Sequence, residues 1–122
     1  MRKIAFPLLA LFIFALPAEA QTSKTRLYGR WLAEYLTTSD GEKEPIPIGT
    51  RIIFEFKRDG SLIAVMSING ESDTKTGTWK IKGKTLELTV DGTTDKVGFK
   101  VTAKRLEIIN RENKEVLTFR KL

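Results

Sequence analysis

The chain has 122 residues, 30% of them charged, with a formal net charge of +6, no cysteine and no histidine. Without those two residue types there is no Ser-His-Asp or Cys-His nucleophile, no thiol redox chemistry and no zinc site of the usual nitrogen and sulfur ligands. Any catalysis would have to rest on carboxylates, lysine, tyrosine or a bound hard cation.

At the N-terminus Arg2 and Lys3 precede an apolar run over residues 4–16, followed by Pro17 and Ala18-Glu19-Ala20. These are the charged, apolar and A-x-A parts of a secretory leader. The apolar run falls short of the roughly 20 residues that a spanning helix needs, and no cysteine follows it to accept a lipid, so no stable membrane anchor is expected. Cleavage is predicted between Ala20 and Gln21. The reading is therefore a signal peptide over residues 1–20, a flexible lead over 21–26 and one domain over 27–122. The mature chain is long enough to bury roughly 65% of its unfolded surface around a single core.

The leader takes away two basic residues and one acidic residue, so the net charge falls from +6 to +5. The remaining charges are interleaved in sequence, as in "GEKEP", "FEFKRDG" and "NRENKEV". That pattern suits a solvated surface and argues against a dedicated nucleic-acid patch. Small secreted animal domains commonly rely on disulfides, so a cysteine-free exported chain fits a bacterial periplasmic or secreted protein better.

Beyond the lead the apolar period is two throughout, the signature of strands. Residues 31–36 form the first. A long connection follows, with a turn at Asp40-Gly41 and an extended, unpaired backbone enforced by Pro45 and Pro47. Residues 51–57 and 61–68 flank Asp59-Gly60, a strong hairpin signal. Asn69-Gly70 turns into the polar "ESDTK", which leads to a strand around Trp79. Further strands cover 85–90, 94–101, 105–110 and 116–121. Eight short strands at even spacing predict an all-β fold, an eight-stranded antiparallel up-and-down meander barrel.

Alternate positions define one apolar face, including Phe54, Leu62, Met66, Trp79, Leu86 and Phe99, and one polar face, including Glu55, Lys80 and Glu87. Two exceptions are Ile63 and Val65, which are apolar on the outward face. Either the lead or the loop over residues 45–48 covers them, or they form a partner surface, for instance toward an envelope protein.

Both tryptophans follow a glycine by two residues, in Gly29-Arg30-Trp31 and Gly77-Thr78-Trp79. Each pair lies on one strand face, so Gly29 and Gly77 should leave space beside the indoles and let the strand bend at a barrel end. The indole N–H groups then need acceptors near the rim.

These residues, with "FEFKRDGSL" (54–62), "TGTWKIKGKTLELTV" (76–90) and an alternating final strand ending at Phe119, resemble the small bacterial lipocalin-like domains of the calycin type. The resemblance spans about residues 27–121. It implies an eight-stranded antiparallel barrel, often with a ligand. With an eight-stranded barrel just wide enough to be filled or to hold one small molecule, a small cavity is expected toward the open end, between Tyr35, Phe54, Met66 and Phe99, for an apolar or amphipathic guest.

No catalytic residues, cofactor or metal site are read from the sequence. Glu55 and Glu87 face outward among lysines and imply no substrate cleft. "NGESD" (69–73) lacks the spacing of an EF-hand loop and reads as a turn. The expectation is a non-enzymatic binding module for a small hydrophobic ligand, with a solid-cored envelope interaction or structural protein as the alternative.

Overall fold

The computed structural model describes residues 18–122, and side chains from Thr22 onward. The apolar run of the expected leader lies outside the described residues. A helix, α1 (Ala18–Leu27), is followed by nine strands: β1 (Gly29–Thr37), β2 (Lys43–Pro45), β3 (Thr50–Phe56), β4 (Ser61–Ile68), β5 (Glu71–Lys82), β6 (Thr85–Val90), β7 (Thr93–Val101), β8 (Arg105–Ile109) and β9 (Val116–Lys121). Each strand from β3 to β9 pairs antiparallel with the next, and β1 pairs with both β3 and β9. Eight strands thus close a meander barrel, as the alternation predicts.

The hairpin turns form where the sequence places them. Asn69 and Asp91 have φ of 50° and 53°, each followed by a glycine of positive φ, the mirror-image turn geometry that suits right-twisted strands. At the β3–β4 turn, Asp59 Oδ1 accepts from the Ser61 N–H at 2.9 Å and from its hydroxyl at 2.5 Å.

Three features depart from the sequence reading. Residues 21–26, expected as a flexible lead, belong to α1. Gln21, Lys24 and Arg26 are good helix formers while Thr22, Ser23 and Thr25 are weaker ones, and the helix end is held by Leu27, which is wholly buried. Within the connection expected to be unpaired, residues 43–45 pair with β1, with Tyr35 opposite Pro45. A proline is tolerated there because β2 is an edge strand. Finally, "ESDTK" belongs to β5, whose first half pairs with β4 alone and runs past the end of β6, where Gly77 faces Val90.

The turns alternate between two ends of the barrel. One end, with α1, the β3–β4, β5–β6 and β7–β8 turns and the C-terminus, is plugged. Leu27, Trp31, Leu86, Leu106 and Phe119 are at 0% exposure and Phe56 and Leu62 at 1%. Phe56 meets Trp79 edge to face at 5.4 Å, and Tyr28 meets Trp79 at 6.0 Å. The indole N–H groups find the acceptors they require: Trp31 donates to the Leu27 carbonyl at 2.9 Å and Trp79 to the Lys57 carbonyl at 3.0 Å.

The two glycines act differently from expectation. A Cβ on Gly29, where φ is +117°, would sit 2.8 Å from Lys121 Nζ. The space beside Trp31 is taken by that ammonium, which lies 4.5 Å from the centre of the indole and donates to the carbonyls of Tyr28 and Arg26. Burial there lowers the Lys121 pKa from its ordinary value. A Cβ on Gly77 would lie 1.9 Å from the backbone oxygen of Thr89. Gly77 therefore makes room for the neighbouring strand's backbone rather than for the Trp79 indole.

Candidate binding site at the barrel mouth

At the opposite end the strands splay. The pairing of β7 with β8 stops at Gly98 and Ile109, leaving residues 93–97 paired with β6 only. Opposite, β1 pairs with β3 only as far as Leu32 and Ile53, and then with β2. Side chains that alternation directs inward therefore stay half-buried at this end, where no further layer covers them.

Two concavities result, separated by Phe54. One, of about 240 Å³, is lined by Ile52, Phe54, Ala64, Met66, Asp73 and Lys75 among others. The other, of about 560 Å³, is a more open recess walled by Phe54, Leu88, Val97, Ile108 and Leu117, with Asp95 and Arg111 at its rim. Phe54 itself is braced by Phe119, whose ring centre is 5.1 Å away. Met66 remains 46% exposed, so a flexible, polarizable side chain borders the smaller cavity.

Polar groups sit at the lip. Lys75 Nζ is 3.3 Å from Asp91 Oδ2, both groups being largely exposed. Asp73 faces Met66 across the β4–β5 pairing. Arg111 donates to the Thr85 hydroxyl at 2.9 Å and to the Lys84 carbonyl at 3.0 Å, tying the β8–β9 loop across β7. Apolar walls with a few polar groups at one edge can take up an amphipathic molecule.

Of the four residues expected around the cavity, the structure brings two together. Phe54 and Met66 line the smaller cavity. Tyr35 is turned away by a bulge between Ala33 and Tyr35. Leu32 pairs with Arg120 and Tyr35 with Thr118, so the extra residue returns Tyr35 to the outer face, where Lys43 lies 4.8 Å from its ring centre. Phe99 points inward as expected, but it packs against the core and borders neither concavity. Lys75 and Asp73 escaped the sequence reading because "ESDTK" looked like a link rather than a strand.

The outward Ile63 and Val65 are half-buried. Neither expected cover reaches them in full: α1 packs chiefly against β7, and Ile48 of the loop is completely exposed. Val65 belongs instead to an outer apolar row in which Leu32, Ile53 and Val65 are cross-strand neighbours, with Ile53 only 9% exposed, whereas Ile63 lies between Glu55 and Thr76. A groove of about 650 Å³ runs beside this row, lined by Leu32, Ile46, Ile48, Arg51, Ser67 and Arg120 among others.

Glu87 lies on the outer face, 7% exposed, within 3.9 Å of Lys80 and 3.7 Å of Lys82. Of the "NGESD" segment, read as a turn, only Asn69 and Gly70 turn; residues 71–73 already belong to β5. Among the described residues no helix is long and apolar enough to cross a membrane.

Comparison with known proteins accords with this geometry. No curated protein matches the chain significantly. Three crystal structures share the fold. A lipocalin-like protein from Bacteroides uniformis is 16% identical with a TM-score of 0.68, over 80% of this chain and 99% of that one. An uncharacterized protein from Bacteroides eggerthii is 17% identical with a TM-score of 0.64, over 79% and 99%. A duf4847 family protein from Bacteroides vulgatus is 17% identical with a TM-score of 0.56, over 81% and 96%. The family model for the lipocalin-like domain matches residues 27–108, from the buried Leu27 to the inward Ile108, and the chain belongs to that family.

Proposed function

We propose that the protein is an exported, non-enzymatic binding module that holds one small apolar or amphipathic molecule at the open end of its barrel. The observation that carries this reading is the uneven filling of the interior. One half is packed solid by Trp31, Phe56, Leu62, Trp79 and Phe119. The other half leaves Ile52, Phe54, Leu88 and Val97 half-buried around open concavities. A ligand whose apolar body covers Phe54 and Met66 would place a polar end near Lys75 and Asp73. The smaller cavity favours a compact guest over a long acyl chain lying fully inside.

The test is a thermal-shift screen against fatty acids, isoprenoids, haem and aromatic metabolites. A ligand at 100 times its dissociation constant stabilises by about 2.7 kcal/mol, several degrees in a domain of this size. Met66→Lys, at a half-exposed position, should abolish the shift with little effect on the free protein. If no compound moves the midpoint, the binding reading fails.

A second reading, an interaction protein, is favoured by the wholly exposed Ile48 beside the outer groove. It predicts concentration-dependent self-association, measured by sedimentation, that Ile48→Asp removes.

A further inference from the structure

The charges that alternate along the sequence are sorted by the fold to opposite ends of the barrel. Turns at the plugged end carry Lys57 and Arg58 (β3–β4), Lys82 and Lys84 (β5–β6), and Lys104 and Arg105 (β7–β8), with Asp59 as the one acid among them. The part of α1 with described side chains adds Lys24 and Arg26 and no acid. All eight basic side chains are exposed. Lys82 shares Glu87 with Lys80 at 3.7 and 3.9 Å; the others lie in segments whose only carboxylate is Asp59. At the mouth the balance is reversed. There the connections carry Asp40, Glu42, Glu44, Asp91, Glu112 and Glu115 against Lys43 and Lys114, while the guanidinium of Arg111, from the β8–β9 loop, reaches the Lys84 carbonyl and Thr85 hydroxyl at the β5–β6 turn.

These basic groups form one face because α1 is fixed to the turns. Arg58 lies 5.0 Å from the centre of the Tyr28 ring, just beyond the helix, and Lys121 of β9 holds the carbonyls of Arg26 and Tyr28.

We propose that the plugged end is an electrostatic docking face for an anionic lipid surface. Exposed lysine and arginine near such a surface each contribute about 1 kcal/mol, or roughly fivefold in binding, and the attraction is screened by salt. The face is built of turns and a helix end, without a groove for a duplex. Its one aromatic residue, Tyr28, is half-buried and covered by Arg58, so it offers no stacking platform for single-stranded nucleic acid. A barrel docked this way keeps its acidic mouth, and any guest, facing the aqueous side.

The test is co-sedimentation of the purified protein with vesicles of phosphatidylcholine alone and of phosphatidylcholine with 30% phosphatidylglycerol, a composition chosen to set about one lipid in three anionic. The expected result is an excess of binding to the anionic vesicles that disappears at about 0.5 M salt. The triple variant Arg58→Glu, Lys84→Glu, Lys104→Glu should lose at least about a hundredfold of that excess, while Glu112→Gln at the mouth should keep it. These positions are exposed, and an unchanged thermal midpoint confirms that the variant folds. Equal binding to both vesicles, no excess on the anionic ones, or an excess that the triple variant retains would overturn the proposal. So would tighter, salt-sensitive binding to a DNA or RNA oligonucleotide that the same three substitutions abolish.

Discussion

Gly77→Ala should destabilise the barrel severely, although alanine is ordinarily the better residue inside a strand. Gly77 is not among the glycines of positive φ, so the backbone itself accepts a side chain, and relief of unfolded-state entropy alone would favour alanine by roughly 0.5–1 kcal/mol. The obstacle is steric. The added Cβ would lie 1.9 Å from the Thr89 oxygen and 3.0 Å from both the Thr89 carbonyl carbon and Val90 Cγ2. The first of these is backbone in the middle of a ladder and cannot swing away like a side chain. To restore contact distance β5 and β6 must separate by more than 1 Å, on the scale of ordinary van der Waals spacing, and the pairings Gly77 with Val90 and Thr78 with Thr89 are lost or weakened. Overpacking costs about 1–3 kcal/mol, and each weakened hydrogen bond about 0.5–1.5 kcal/mol. The sum, about 2–4 kcal/mol, is a large part of the 5–15 kcal/mol typical of a whole domain. Urea unfolding followed by tryptophan fluorescence measures it, because both tryptophans are buried at the plugged end. Gly83→Ala is the control: its φ is +61° and nothing lies within 4 Å of its added Cβ, so only the backbone cost of about 1–2 kcal/mol applies. Equal losses at the two positions, or a Gly77→Ala protein within about 0.5 kcal/mol of the parent, would refute the close approach of the two strands.

Trp79→Ala should cost about 3–5 kcal/mol as a large aromatic removed from a core, whereas Lys80→Ala, next to it on the outer face, should cost less than about 0.5 kcal/mol; similar losses by chemical denaturation would mean the strand faces are reversed. Asp59 is held below its ordinary pKa of 3.8 chiefly by the Ser61 hydroxyl and then by the Ser61 N–H. Its folded pKa lies below its unfolded one, so its contribution is present above pH 3.8 and is lost as pH falls through the lowered value. Asp59→Asn should therefore lower the thermal midpoint near neutral pH, and the difference from the parent should shrink in strong acid; a constant difference would exclude the ionised side chain as its source. The intact mass of protein exported by a bacterial host should correspond to a start within a residue or two of Gln21, which would retain residues 21–27 of α1; a full-length chain in the membrane fraction would contradict the leader.

What the sequence determined by itself is what depends on near neighbours. A period of two commits residues such as Phe54, Leu62, Leu86 and Phe119 to one face of a strand wherever that strand goes. Pairs such as Asn69-Gly70 and Asp91-Gly92 set the hairpins because the required φ values are local properties of those residues. What the tertiary structure decided depends on which backbones meet. The bulge between Ala33 and Tyr35 arises where β1 is matched to β9 on one edge and to β3 and then β2 on the other, and it turns Tyr35 out of the interior against its own alternation. Gly77 needs no side chain because of Thr89, a residue of the next strand. Lys75 and Asp73 reach the mouth because β5 outruns β6, an offset between strands that neither strand encodes alone. The separation of charge is the clearest case, since successive turns of a meander lie at opposite ends of a barrel, and basic and acidic segments that alternate along the chain are thereby collected into a basic end and an acidic mouth.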